Sequence, residues 1–259
     1  MLLTVYEICQ IILLFGLGAA LTSFFNAQIY RIENQMKLKD LILTPSQCEN
    51  CKKDLSWYEL IPVFSFVFQK GRCAKCGMKI PILYPITEAL FGFSLVLLWY
   101  YQVKPEIYLL ASLLYFLALY DLFYKGFPKN IMHAFLIVGI TVFVYRYFTS
   151  IEWSFVPIYL SIAVGLIVLF FNRIRMSFGE GDLLVVILLS FFFPLKQLLS
   201  VIIIGLMISG FSMIGLMLIK KVTRKDMVPF VPFLYLGLLA YFPLQIYIDK
   251  YFAYILYLW

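Results

Sequence analysis

The chain has 259 residues, of which 63% are hydrophobic, 19% aromatic and only 14% charged. Soluble domains carry about a quarter charged residues, so this composition excludes a water-soluble globular protein and indicates a polytopic membrane protein. The formal net charge of +7 does not call for nucleic acid, because Lys and Arg gathered in cytoplasmic loops give the same balance.

Set against the roughly 20 residues needed to cross a bilayer, the apolar runs predict helices over 3–30, 82–101, 106–123, 130–148, 153–172, 182–194, 197–219 and 229–247. The first run lacks a basic start and a small-residue cleavage site, so it reads as a retained span and not a cleaved signal peptide. With the N-terminus outside, alternation places 31–81, 124–129, 173–181 and 220–228 in the cytoplasm and both termini outside. All of the 21 Lys and Arg residues except Lys104, Arg146, Lys196 and Lys250 then lie on the cytoplasmic side, as the positive-inside rule expects. The expected fold is an all-α polytopic membrane protein of about eight transmembrane helices. The sixth run is short: the 12 positions from Asp182 to Phe193 cover only about 18 Å of a hydrocarbon core of about 30 Å.

Residues 31–81 form the one loop long enough to fold by itself. It holds "CENC" at Cys48 and Cys51 and "CAKC" at Cys73 and Cys76, two CxxC turns that converge on one tetrahedral zinc through four thiolates. The rival reading is a pair of disulfides or unlinked thiols, which a cytoplasmic loop disfavours. With all four positions taken by protein, the metal is structural. Cys9, in the first span, reads as a small buried apolar side chain.

Two carboxylates occupy costly places. Asp121 ends the third apolar run in "LLYFLALYDLFYKGFP", and Asp182 opens the sixth in "SFGEGDLLVVILL". Charged groups in such positions usually face the bundle interior and work there. The topology puts both at the same side and depth, where two aspartates sharing one proton could activate water against a peptide carbonyl. Gly179 and Gly181 would let the backbone turn tightly beside Asp182. Other readings stay open: Asp182 as a helix cap, or both aspartates relaying ions in a proton- or cation-coupled transporter. His133 is the only histidine, so neither a Ser/His/Asp triad nor an HExxH zinc site can be assembled.

With these residues in view, the chain resembles the type IV prepilin peptidases, a family of GxGD membrane aspartic proteases. The similarity follows the family order: "SFFNAQIYR" from Ser23, "PSQCENC", "ELIPVFSF", "GRCAKC", "YPITEALFG", "YDLFYKGFPKN" with Asp121, "GEGD" with Asp182, and "VPFVPFLYLG" from Val228 to Gly237. It departs from the family at Lys129, which stands where Asn or Asp is usual, and at Leu184, where many members carry Lys.

The resemblance implies a first transmembrane helix over 1–30, a cytoplasmic four-cysteine zinc domain over 31–81 and a membrane aspartic protease core over 82–259. It implies Asp121 and Asp182 as the catalytic pair. It implies cleavage of basic leaders from prepilins or pseudopilins at the cytoplasmic face of the bacterial inner membrane, the substrate's apolar helix remaining in lipid. Glu49, Glu59, Glu88 and Glu180 are candidate contacts for the leader. It further implies S-adenosylmethionine as donor for methylating the new N-terminus, although no glycine-rich nucleotide fingerprint locates that cofactor.

Overall fold

Helix α1 (Val5–Glu33) starts at a reciprocal cap: the Thr4 hydroxyl accepts from the Glu7 N–H, and the Glu7 carboxylate accepts from the Thr4 N–H at 2.8 Å. Such a pair satisfies donors that the first helical turn would otherwise leave bare. This computed structural model describes residues 4–36, 39, 44–149, 155–172, 179–219 and 228–257, and among these it is helical, with no sheet. After α1 come a 3-10 turn (Trp57–Leu60), α2 (Phe64–Phe68), α3 (Leu83–Tyr100), α4 (Pro105–Tyr124), α5 (Lys129–Thr149), α6 (Val156–Asn172), α7 (Glu180–Ser190), α8 (Leu195–Leu218) and α9 (Val231–Tyr257).

Each of the eight expected spans is a helix, but only six of the described helices are long and apolar enough to cross a membrane: α1, α3, α4, α5, α8 and α9. Helix α6 has 17 residues and α7 has 11, and at 1.5 Å per residue α7 reaches about 16 Å, half of a hydrocarbon core. The last helix runs beyond the predicted end at 247, to Tyr257. Of the predicted loops, residues 173–178 and 220–227 lie outside the described residues.

The chain divides into two compact units, Met1–Gln102 and Val103–Trp259. The division falls after α3, so the helix expected at 82–101 belongs with α1 and the cysteine loop. The cause is close packing of small residues. A Cβ on Gly18 would stand 2.8 Å from Gly92 Cα, and one on Gly92 would stand 2.8 Å from the Phe15 carbonyl oxygen. Without a hydrophobic drive between helices in lipid, such backbone approach is a main source of helix association.

In the second unit α4 is the central helix, with Leu110, Ala111, Leu114 and Leu117 fully buried. It packs on α9, which meets α8 through another small pair, Gly205 and Gly237. Helix α7 packs on α5 and α6. The start of α4 and the end of α5 are tied by Arg146, whose Nε lies 3.5 Å from Glu106 Oε1 and whose guanidinium donates to the Phe192 carbonyl at 2.8 Å. Lys196 at the start of α8 pairs with Asp249 near the end of α9 at 2.7 Å. Two of the four basic residues that fall outside the predicted cytoplasmic loops are therefore held by carboxylates.

Candidate active site and metal centre

In the first unit the two CxxC turns have the same backbone. Cys48 N–H donates to the Lys53 carbonyl and Lys52 N–H to the Cys48 carbonyl, at 2.9 and 3.0 Å; Cys73 N–H donates to Met78 and Gly77 N–H to Cys73, both at 2.9 Å. Single bridges, Gln47 with Asp54 and Arg72 with Lys79, close the two turns. The equivalent residues Lys52 and Gly77 both take the left-handed conformation, with φ 53° and 71°.

This repeated geometry brings four sulfurs together. Cys48 Sγ lies 3.8 Å from Cys76, Cys51 Sγ lies 3.9 Å from Cys73, and all four fall within 4.8 Å of one another. The Met78 N–H and the Asn50 side chain pull the Cys76 thiol down to about 6. N–H groups of Cys76 and Lys75 lower Cys73. At Cys51 the Lys53 N–H favours the thiolate, but desolvation and the three other sulfurs push the group up to about 11. Four sulfurs so close together could hold a metal ion, and an all-cysteine ligand set suits zinc.

The loop is stapled to its surroundings by buried polar contacts. Glu59, with a fully buried side chain, takes Lys53 Nζ on both oxygens at 2.9 and 2.8 Å and the Ser56 N–H at 2.9 Å. Lys53 first, then the Ser56 N–H, holds that carboxyl below its ordinary 4.5. Glu88 of α3 accepts the Val63 N–H at 2.7 Å. Of the acidic candidates for a basic ligand, Glu59 and Glu88 are thus turned inward, whereas Glu49 sits at the surface and accepts from the Tyr84 hydroxyl at 3.1 Å. The side chain of the fourth candidate, Glu180, lies outside the described residues. Between α1, the loop and the start of α3 opens a cleft of about 380 Å³, with Ser23, Asn26, Tyr30, Phe66, Tyr84 and Glu88 among its walls. Asn26 donates to Thr87 at 3.4 Å, while its Oδ1 is buried without a hydrogen-bond partner. Cys9 is exposed on α1, a correction to its expected burial.

In the second unit Asp121 lies in the last turn of α4, 7% exposed. Lys125 adopts a left-handed cap, φ 54°, and its N–H returns to the Asp121 carbonyl at 2.8 Å. The Asp121 carboxylate does not hang free: Oδ2 accepts the Val231 N–H at 3.2 Å, and the Phe230 N–H also points to it. Asp121 therefore sits on the N-terminal turn of α9, where the helix dipole favours negative charge.

Asp182 is the third residue of α7, whose N-cap is Gly179 and not the aspartate itself. It is half-buried and close enough to Asp121 to feel its charge. Asp182 Oδ2 would come 3.1 Å from a Cβ on Gly179, and the Phe127 ring would come 3.0 Å from one on Gly181. A side chain at either glycine would crowd the carboxylate or displace that ring. Sequence reasoning missed the roles of Phe127 and of the Phe230 and Val231 N–H groups. The signal for the latter was Pro232, a proline in the first turn of a helix that follows a Pro-Phe step. His133 is exposed on α5.

Fold and site define an all-helical, multi-pass membrane protein that joins a four-cysteine module to a helical unit carrying a carboxylate pair. Residues 16–102 match the family model described as Bacterial Peptidase A24 N-terminal domain. Among curated proteins the chain is similar to the prepilin leader peptidase/N-methyltransferase of Myxococcus xanthus (strain DK1622), 34% identical over 50% of this chain and 39% of the relative. It is 33% identical to that of Bacillus subtilis (strain 168), over 48% of this chain and 50% of the relative. The Vibrio cholerae serotype O1 protein of the same name aligns at 28% identity over 68% of this chain and 75% of its own length. The chain spans about half the length, or less, of the first of these relatives. No solved structure matches it. These similarities support a type IV prepilin peptidase.

Proposed function

We propose that this chain is an aspartic endopeptidase that removes the basic leader of prepilins or pseudopilins at the cytoplasmic face of the bacterial inner membrane. The observation that carries this reading is that Asp121 and Asp182, 61 positions apart in the chain, stand at the ends of two helices near enough for the charge of one to act on the other. Like charges so placed retain one proton between them. The ionised carboxylate then takes a proton from water, while its neutral partner donates a hydrogen bond to the scissile carbonyl. Asp121 is held for this by the α9 N-terminus, and Asp182 stands more open toward an incoming substrate.

Cys48, Cys51, Cys73 and Cys76 would hold a structural zinc that fixes the loop. The names of the relatives favour a second activity, methylation of the new N-terminus from S-adenosylmethionine. The cleft of the first unit suits that cofactor: Tyr30, Tyr84 and Phe66 offer stacking faces, and Asn26 Oδ1 offers an unused acceptor.

Co-expression with a prepilin bearing a basic leader, read by intact mass, tests the peptidase. Loss of a leader-sized fragment with the wild type and not with Asp182→Asn is expected; equal cleavage by both overturns the dyad. For the second activity, Asn26→Leu should reduce transfer of labelled methyl while cleavage persists, and undiminished transfer would place the cofactor elsewhere.

A further inference from the structure

The segment "WYELIPVFSFVF", Trp57 to Phe68, is apolar on the wrong side for a loop in water. Trp57 and Phe68 are each 77% exposed, Val67 65% and Phe64 56%. In α2, Phe64, Val67 and Phe68 share one helical face by their i, i+3, i+4 spacing. The opposite face serves the unit itself: Ser65, Phe66 and Gln69 line the cleft, and the Phe66 ring would meet a Cβ on Gly71 at 2.9 Å. The outward face is thus the surplus one, and it carries the large apolar groups.

The backbone fixes where this face sits. Phe64 N–H donates to the Pro62 carbonyl at 2.6 Å, closing a γ-turn around Val63 with φ 63° and ψ −52°. A β-branched residue rarely takes that conformation, and such strain persists only where the surroundings impose it. Here the turn aims the Val63 N–H at Glu88 Oε2, 2.7 Å away. Glu88 lies five residues into α3, one of the helices long and apolar enough to cross a membrane, and so about 7.5 Å along it. The turn therefore lies beside the span and below its end. Non-helical backbone at membrane depth needs protein partners for its N–H groups, and the Glu88 carboxylate supplies one.

We propose that Trp57–Phe68 is an interfacial insertion, with Trp57, Phe64, Val67 and Phe68 buried at the boundary between headgroups and acyl chains of the bilayer that α1 and α3 cross. Trp and Tyr prefer that layer, and Trp57 is followed by Tyr58, itself exposed. Exposed Lys70 and Arg72 follow directly in the chain, which suits anionic headgroups. The insertion holds the near end of the cysteine module at the membrane surface, with the second CxxC turn, which carries Lys75, reaching away into water. This inference rests on the first unit alone and stands whether or not the chain is a peptidase.

Photo-crosslinking tests it. The full chain, carrying benzoylphenylalanine at position 68 or, as control, at position 75, is placed in phosphatidylglycerol and phosphatidylethanolamine nanodiscs, irradiated and weighed. A lipid-mass adduct at 68 and none at 75 is expected. A cross-linked dimer from position 68, or no lipid adduct there, overturns the proposal, the former in favour of contact with a second copy. If the position 68 variant fails to fold, the same readout at Val67 decides.

Discussion

Replacing Asp121 separates catalysis from capping, because its carboxylate has a visible structural duty. Oδ2 accepts the Val231 N–H at 3.2 Å in a buried place. The side-chain amide of an Asp121→Asn variant keeps an acceptor of the same shape, so the α9 N-terminus stays satisfied and stability should change little. Asp121→Leu removes the acceptor and orphans that N–H, at a cost of about 1–3 kcal/mol. If Asp121 is half of a proton-sharing pair, both substitutions should lower cleavage by about 100- to 10,000-fold, the range for loss of a positioned acid or base. Thermal unfolding of the purified protein, paired with single-turnover cleavage followed by intact mass, measures the two effects apart. An Asp121→Asn protein that is stable and cleaves at the wild-type rate would refute the dyad and leave Asp121 as a cap for α9.

Zinc should copurify with the chain through the sulfur cluster, and Cys48→Ser should lower the metal content and open the loop to proteolysis; a metal-free wild type with an equally protected loop would contradict a metal centre. Glu59, held below its ordinary 4.5 by Lys53 and the Ser56 N–H, contributes stability that is complete above that value and lost as pH falls through the depressed one. The difference in protease resistance between wild type and Glu59→Gln should therefore shrink as the solution is made more acid, and a difference independent of pH would show that the carboxylate's charge is not what stabilises. Gly18→Ala puts a methyl group 2.8 Å from Gly92 Cα and 2.9 Å from the Phe91 carbonyl oxygen, backbone atoms that cannot rotate away. It should destabilise the α1–α3 pair by about 1–3 kcal/mol, and unchanged melting would mean the helices are not so closely packed.

Whatever local chemistry can write was legible in the order of residues. Apolar length marked every long helix, because crossing hydrocarbon requires about 20 apolar residues in a row. The CxxC spacing announced the cysteine cluster, since two residues between ligands leave both sulfurs on one side of a turn. Asp121 and Asp182 stood out because an ionised group at the edge of an apolar run is expensive.

Which helices group together is a property of the folded chain. Nothing local in 82–101 says that it pairs with α1; the Gly18 and Gly92 contact does, and that depends on two surfaces meeting. The same holds for Asp121, whose partner Val231 lies 110 positions away, and for the outward face of α2. There the residue order shows only an apolar stretch, and which side is exposed among the described residues becomes visible once Val63 is bound to Glu88. Contacts between residues distant in the chain leave no periodicity to read, because each side is shaped by a neighbour that the local pattern does not contain.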